Sequence, residues 1–221
     1  MEVDPKQLSL SETYKILSGC VTPRPVAFVS SCSPEGYPNL APFSFFNGIS
    51  ANPMAVAFSP LTAPDGVEKD TLQNVLPEEE GGTGEFVVNL ASEAYIREVS
   101  AAAERLPRSE SEFDLTKLEM ASSRLVRPAR VARSPVAFEC RTLQVVRINR
   151  GAPMAGNLVI GEVVHVYLRD DITDAEFHID QMKIANVGRM GGPLYCRTLD
   201  AFPLERGIAA LEATLPFTPR E

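Results

Sequence analysis

The spacing of apolar and polar positions along the chain predicts a β-rich protein with few helices. Apolar runs rich in β-branched residues, bounded by glycine and proline, are typical of strands. We expect such strands at residues 26–31, 40–49, 53–59, 85–90, 135–148 and 158–168. Helical spacing next to capping residues predicts helices at residues 9–19, 69–76 and 93–105.

The order of these elements decides between two fold classes. Strands do not alternate with helices in a regular βαβ rhythm, which argues against a doubly wound parallel sheet. The pattern favours a mainly β fold, an antiparallel barrel with added helices. Residues 107–133 are polar and irregular, and we expect them to form a connection inside a single domain that spans residues 1–221.

Composition and charge narrow the functions that the chain could have. Its 21 Lys and Arg against 29 Asp and Glu give a formal net charge of -8, so no basic field exists to gather nucleic acid. No stretch approaches the roughly 20 apolar residues of a membrane helix. The acidic, proline-containing start lacks the basic flank of a signal peptide. These features predict a soluble, cytoplasmic protein without nucleic acid or membrane partners.

The metal-ligating residues form no recognisable motif. The four cysteines are far apart, none belongs to a CxxC pair, and the two histidines form no HExxH motif. We therefore expect no metal site. Spacing alone leaves disulfides open, but a chain of this length does not need them, and free thiols are the simpler prediction.

One segment, residues 39–50, carries the side chains and backbone groups that a flat aromatic ligand needs. In a strand, Ser44 and Phe46 would face away from Phe45. Pro42 has no backbone N–H, which places the strand at a sheet edge or breaks it. Amides left unpaired beyond Pro42 would be free to bind the polar edge of a flavin ring. The alternative is that the phenylalanines simply pack in a barrel core.

Two further segments could bind an anion. Lys69 and Thr71 open a predicted helix, where free amides and an ammonium suit a phosphate. The alternative there is an ordinary helix start capped by Asp70. Residues 188–195 place three glycines around Arg189, so that the guanidinium could be held against an anion or a ring. The alternative is a surface loop. The chain has no Walker or Rossmann fingerprint.

Taken in order, eight short segments make the chain similar to the flavin reductase-like, FMN-binding split-barrel family, near its flavoredoxin-type members. The segments are TPRPVA at 22–27, residues 39–47, ANP at 51–53, KDT at 69–71, FVVNL at 86–90, SPVAFEC at 134–140, GEVVHV at 161–166 and residues 188–195. Each segment is short, but together they extend over about residues 23–198, most of the chain.

This resemblance implies a Greek-key split barrel that forms a homodimer, with one FMN per subunit near the interface. It implies isoalloxazine contacts from Ser44, Phe45, Phe46 and Asn47, and phosphate contacts from Ser50, Ser59, Lys69 and Thr71, with Arg24 and Asn89 nearby. Gly188 and Arg189 would form a loop that reaches the flavin, from the same subunit or from its partner. No catalytic residue is assigned, because the flavin carries the chemistry.

These features favour a flavoprotein oxidoreductase that takes electrons from NAD(P)H or from a protein donor. Many flavin reductases carry a histidine just before the strand that here begins at residue 158, whereas this chain has Ala155, Gly156 and Asn157. That difference weakens the expectation of reduction by NAD(P)H. It keeps two alternatives open, a flavin carrier or storage protein, and a split barrel for another planar cofactor such as haem or pyridoxal phosphate. We expect the acidic insertion at residues 77–82 to reshape the mouth of the site.

Overall fold

A seven-stranded antiparallel sheet forms the centre of the computed structural model, which describes residues 1–217. The strands are β1 (Arg24–Pro25), β2 (Ala27–Cys32), β3 (Pro38–Phe43), β4 (Phe46–Ala51), β5 (Met54–Phe58), β6 (Glu85–Leu90), β7 (Met120–Ala121), β8 (Arg130–Val131), β9 (Val136–Arg147), β10 (Asn157–Leu168), β11 (Val187–Arg189) and β12 (Tyr195–Arg197). The helices are α1 (Leu10–Cys20), α2 (Asp70–Val75), α3 (Ile96–Ala101), α4 (Glu112–Thr116), α5 (Gln181–Ile184) and α6 (Ala209–Glu212).

The large sheet is open, with β3 and β4 at its two edges. Its strand order is β3-β2-β6-β9-β10-β5-β4, and each neighbouring pair is antiparallel. A smaller sheet contains β1, β11 and β12, and β7 pairs with β8. The long strands β9 and β10 form the most extensive ladder, as the two long apolar runs predict. The arrangement confirms the prediction of a mainly β, antiparallel fold.

Strand β2 is buried along its whole length because the sheet is covered on both faces. Its alternate side chains enter two different hydrophobic clusters, since neighbouring residues of a strand point to opposite faces. Phe28 packs with Leu40, Tyr95 and Val99 on the face that α3 covers. Val29 belongs to the second cluster, which fills the inside of the barrel. A continuous apolar run, rather than an alternating one, is what a strand buried on both faces requires.

Phenylalanines from three strands fill the inside of the barrel. The ring centroid of Phe58 lies 5.2 Å from that of Phe43 and 5.3 Å from that of Phe86. Gly161 makes room for this packing, because a Cβ at that position would lie 2.3 Å from the ring of Phe86. The register of the β9–β10 ladder also shifts between Ile160 and Gly161. The glycine is therefore required by a close approach between a strand and an aromatic ring.

The single strand predicted at residues 40–49 is wrong, because the chain forms two strands there. β3 pairs with β2, whereas β4 pairs with β5 at the opposite edge of the sheet. Ser44 and Phe45 form the crossing between the two edges, just after Pro42. Pro42 lies in an edge strand opposite Phe28, where its missing N–H costs no ladder bond inside the sheet.

Two other boundaries also differ from the prediction. The helix expected at residues 93–105 starts as a 3-10 turn at Glu93–Tyr95, and α3 ends at Ala101. Tyr95 interrupts the helical geometry with a φ of -144°. The connection at residues 107–133 is less irregular than expected, since it contains α4 and the β7–β8 pair. Local turns and distant partners, rather than apolar periodicity, set these boundaries.

The structure also bears on the cysteines and on membrane insertion. Cys20, Cys32, Cys140 and Cys196 are all free thiols, as predicted. Among residues 1–217, none of the helices combines the length and the apolar character needed to cross a lipid bilayer.

Candidate functional site

Two adjoining cavities lie beside the crossing between β3 and β4. The first has a volume of about 360 Å³ and the second about 320 Å³, a size typical of sites for small molecules and cofactors. The two cavities share four lining residues, Pro42, Ala63, Lys69 and Arg105. Together they form one elongated site that is aromatic at one end and charged at the other.

The wall of the first cavity combines aromatic rings with unpaired backbone donors. Tyr14 and Phe45 line the cavity, and their ring centroids lie 6.4 Å apart. The carbonyl of Phe45 accepts a hydrogen bond from the Ser59 N–H at 2.8 Å. The N–H groups of Ser44 and Phe45 donate to no backbone carbonyl within the described chain. A planar heteroaromatic ligand needs this pairing of flat apolar contact and free donors.

Arg24 supports this wall from behind, although it lines neither cavity. Its side chain is buried, and its Nε donates to the Ser44 Oγ at 3.2 Å. The Nη atoms donate to three backbone carbonyls, those of Ser18, Val21 at 2.8 Å and Met190 at 3.1 Å. Burial lowers the pKa of the Arg24 guanidinium. Because four of its five N–H groups are occupied, Arg24 positions the wall and the end of α1.

The charged end of the site is built around the start of α2. Lys69 is exposed and lines both cavities, and it forms no ion pair within residues 1–217. Thr71 is buried, lines the second cavity, and accepts a hydrogen bond from the Asn39 Nδ2 at 2.9 Å. Arg105 also lines both cavities, but its Nη1 contacts the Asp65 carboxylate at 2.6 Å. Lys69 is thus the cation that is available to a phosphate at the junction.

A match to a protein-family model identifies the family to which this chain belongs. A model described as "Flavin reductase like domain" matches residues 18–186, which is most of the chain. The chain belongs to the flavin reductase-like family. Membership supports a flavin cofactor and a redox function, and it confirms the split-barrel fold implied by the sequence segments.

Individual relatives agree with this membership. The flavin reductase-like chain is 36% identical to the uncharacterised protein BH2278 of Halalkalibacterium halodurans over 93% of this chain and 96% of that protein. It resembles nitrilotriacetate monooxygenase component B from Bacillus cereus with a TM-score of 0.84 and 31% identity, over 92% of this chain and 98% of the other. It resembles 2-nitrobenzoate 2-nitroreductase NbaA from Pseudomonas fluorescens with a TM-score of 0.80 and 27% identity, over 100% and 99%.

Five of the flavin-contacting residues expected from the sequence meet at the two cavities. Ser44, Phe45 and Ser59 line the first cavity, Thr71 lines the second, and Lys69 lines both. They come from separate parts of the chain, the β3–β4 crossing, the end of β5 and the start of α2. The fold of this flavin reductase-like protein therefore brings an aromatic segment and a cationic segment to one place.

Three other residues expected to contact the flavin come after the crossing in sequence, and they do not line either cavity. Phe46 packs against the hydrophobic cluster inside the barrel, opposite Phe58 in the β4–β5 ladder. Asn47 and Ser50 are exposed on the edge strand β4, and the Ser50 Oγ accepts a hydrogen bond from the Asn52 N–H at 3.2 Å. Neither Asn47 nor Ser50 lines a cavity within the described chain.

Asn89 is placed in the protein interior, away from both cavities. It is fully buried, and its Nδ2 donates to the Phe28 carbonyl at 3.0 Å and to the Ser30 Oγ at 3.3 Å. Its Oδ1 accepts from the Val131 N–H at 2.8 Å. The amide thereby connects β2, β6 and β8, which is how a buried polar side chain satisfies its hydrogen bonds.

The glycine-rich segment expected to be a loop begins as a strand, so that expectation is wrong for Gly188 and Arg189. In β11, Gly188 pairs with Pro25 of β1. A Cβ on Gly188 would lie 2.8 Å from the Cys196 Sγ, which explains the glycine by close packing. The Arg189 guanidinium lies 4.4 Å from the centre of the Tyr195 ring and donates to the Pro193 carbonyl at 3.2 Å. Neither Gly188 nor Arg189 lines a cavity within residues 1–217.

Sequence reasoning missed several lining residues. Tyr14, Arg105 and Met154 line the first cavity, and Arg105 also lines the second, together with Arg108. They lie far from the aromatic segment in sequence, so only tertiary packing brings them there. Met154 has a positive φ of 59°, which is unusual for a residue other than glycine and cannot be read from its side chain.

The acidic insertion expected to reshape the mouth of the site, residues 77–82, lies outside the walls of both cavities. None of its residues lines either cavity within the described chain. Glu78 pairs with Arg127, which also contacts Glu85 at 3.2 Å. Gly82 packs closely, since a Cβ there would lie 2.1 Å from the Leu76 carbonyl oxygen. These contacts hold the insertion against the barrel.

Proposed function

We propose that this protein binds FMN and transfers electrons to an acceptor from NAD(P)H or a protein donor. The observation that carries the proposal is the position of Phe45 and Lys69 on one cavity, with Thr71 beyond Lys69 in the adjoining cavity. An aromatic wall at one end and a free ammonium at the other match a ring joined to a phosphate by a flexible chain. The residues present therefore fit FMN.

The protein groups at the site bind and orient the cofactor. Bound FMN supplies hydride and electron chemistry that no side chain of this site provides. The rings of Phe45 and Tyr14 offer flat apolar contact, and the free amides of Ser44 and Phe45 offer donors for a polar ring edge. Lys69 offers a positive charge for the phosphate. We assign no catalytic residue, because positioning is the protein's contribution.

The identity of the relatives supports an enzymatic role. One resembling structure is a monooxygenase component and another is a nitroreductase. A flavin carrier or storage protein is the alternative, and residues 154–157 favour it. The family histidine expected there is absent from the Met-Ala-Gly-Asn sequence, and Met154 lines the first cavity. A thioether cannot take part in the hydrogen bonding and proton transfer that an imidazole supports.

Visible spectroscopy of freshly purified protein tests the proposal. We expect a flavin spectrum, and we expect anaerobic addition of NADH or NADPH to bleach the absorbance near about 450 nm, since hydride transfer reduces the ring. Protein that is colourless and does not quench added FMN fluorescence would contradict the proposal. A haem or pyridoxal phosphate spectrum would replace FMN by another cofactor. If only a reduced protein donor bleached the bound flavin, NADH and NADPH would be excluded as electron donors. If no donor bleached it, the carrier or storage function would be favoured.

We also propose that the protein is a homodimer. In helix α1, Ser18 is the one buried residue, while Leu10, Tyr14 and Leu17, which share one face, are 57%, 42% and 48% exposed. An apolar helix face next to a cofactor cavity is typical of an interaction surface. Light scattering should give twice the chain mass, and Leu17→Glu should give the monomer mass, while Lys15→Glu on the same helix should leave the dimer intact. A monomeric wild-type protein would exclude the dimer.

A further inference from the structure

The second cavity contains a buried carboxyl group that the proposed function does not use. Glu112 is the first residue of α4 and is 7% exposed. It lines the same cavity as Lys69 and Thr71. Its Oε2 accepts a hydrogen bond from the Leu40 N–H at 2.8 Å. The carboxyl group is therefore anchored to β3, and it lines the cavity that is proposed to hold the phosphate.

Most other charges around this cavity are paired with one another. Arg105 contacts Asp65, Arg108 contacts Asp70 at 3.0 Å, and Glu68 contacts Arg147. Arg108 also donates to the side chains of Gln73 and Asn74. Apart from the exposed Glu104, these pairs leave the ammonium of Lys69 and the carboxyl of Glu112 as the charges without partners.

The elements packed against α4 bring no further cation to Glu112. Strand β3 has no titratable side chain. From α3, Val99 packs in the same cluster as Phe113 of α4, Glu98 contacts Arg133 at 3.9 Å, and Arg97 is exposed. Burial raises the pKa of the Glu112 carboxyl most strongly. The N–H groups of Leu40 and of Glu112 itself lower this pKa, the Asp70 carboxylate raises it, and Lys69 lowers it.

A phosphate bound by Lys69 and Thr71 would enter a cavity that already contains this carboxyl group. Two negative charges in one site disfavour each other's ionised form. We infer that Glu112 takes up a proton from solvent when the flavin phosphate binds, so that affinity for FMN, but not for riboflavin, falls as pH rises. This inference rests on the proposed function. It makes Glu112 a residue that discriminates between flavins by the charge of their tail.

The direction of the pH dependence follows from linkage. The bound phosphate favours the protonated carboxyl, so the pKa of Glu112 is higher in the complex than in the free protein. FMN affinity is then constant below the lower of the two pKa values, falls by up to about tenfold per pH unit between them, and is constant again above the higher. The phosphate of FMN has its own ionisation near pH ~6, which a variant without the Glu112 carboxyl retains.

Fluorescence titration of FMN and riboflavin between about pH 5 and about pH 8 tests the inference on wild-type protein and Glu112→Gln. The glutamine keeps an acceptor for the Leu40 N–H but cannot ionise. At about pH 8 we expect Glu112→Gln to bind FMN about fivefold or more tightly than wild type, and to bind riboflavin equally. Glu110→Gln is the matched control, because Glu110 is exposed and lies outside both cavities in the described chain. It should behave as wild type.

Calorimetry gives a second readout that a structural role would not change. FMN binding in two buffers of different ionisation enthalpy should show more proton uptake by wild type than by Glu112→Gln. Equal proton uptake and equal pH profiles, with FMN still bound, would overturn the inference while leaving the proposed function intact. Equal weakening of FMN and riboflavin by Glu112→Gln would also overturn it, because it would show a role in folding only. Absence of FMN binding to the wild type would reject both.

Discussion

The two cavities that meet at Lys69 are built by different forces. The wall of the first cavity contains aromatic rings and the backbone segment that crosses from β3 to β4. The buried Arg24 supports this wall through its hydrogen bond to Ser44. The second is surrounded by charged side chains, several of them exposed and paired with each other, as in the contact between Arg105 and Asp65. Buried hydrogen bonds hold one shape strongly, whereas exposed ion pairs contribute little and rearrange easily.

This difference teaches how the two halves of a ligand would be recognised. The first cavity is preorganised, so it should bind a flavin ring in the same way whatever tail is attached. The second should respond to the charge of the tail, to salt and to pH. Comparison of FMN with riboflavin separates the two, because the ligands share the ring and differ in the phosphate.

Removing the support behind the first cavity should have the largest effect. Arg24→Ala leaves the carbonyls of Ser18, Val21 and Met190 without their donor, and we expect a loss of about 3 kcal/mol in the free energy of unfolding. Urea denaturation measures it. Arg189→Ala, which removes one carbonyl contact and a ring contact, should cost about 1 kcal/mol. Equal effects of the two changes would show that Arg24 does not have a special supporting role.

Removing the ammonium at the junction should affect one ligand only. We expect Lys69→Ala to weaken FMN by at least about tenfold and to leave riboflavin unchanged, since only FMN carries the phosphate. Fluorescence quenching by each flavin measures this. Lys6→Ala is the control, because Lys6 is exposed and outside both cavities. If both flavins weakened to the same degree, Lys69 would not meet the phosphate.

Removing a ring from the first cavity should affect both ligands alike. We expect Phe45→Ala to weaken FMN and riboflavin by the same factor, about fivefold, because the contact is with the shared ring. Phe45→Tyr keeps the ring and should retain the affinity. A loss confined to FMN would place Phe45 near the tail and reverse the assignment of the two cavities.

Salt should have the smallest effect on flavin affinity, and it should act only on the ligand group bound at the charged end of the site. Raising ionic strength from about 0.01 M to about 1 M shortens the screening length from about 30 Å to about 3 Å. Because Lys69 is exposed, we expect FMN affinity to fall about threefold and riboflavin affinity to stay constant. An equal salt effect on both flavins would remove the contrast between the cavities.

Sequence patterns predicted the antiparallel strands well and their connections less well. The apolar runs behind β2 and β6 identify buried strands because both faces of those strands meet apolar neighbours. The break between β3 and β4 escaped the pattern, since Ser44 and Phe45 alternate as a strand would. Which edge a segment joins depends on pairing partners distant in sequence, and local periodicity does not contain that information.

The parts of the site that lie within short sequence segments were predictable from the sequence. The aromatic segment and Lys69 do meet, as the resemblance to the family implied. Arg105 and Met154 could not be found from sequence, because the segment after helix α3 and the turn before β10 reach the cavity only through packing. The family resemblance implied that Arg24 lies near the phosphate, but its guanidinium donates to carbonyl groups of the protein itself.

The bond between Arg24 and the Met190 carbonyl joins residues 166 positions apart. The pairing of β1 with β11 spans a similar distance. A ribosome releases the chain from its N-terminus, so β1 and the following strands emerge long before β11. The pocket wall at Ser44 therefore stays incomplete until the ribosome has added and released Met190, and a ligand of this wall meets its finished site only after that point.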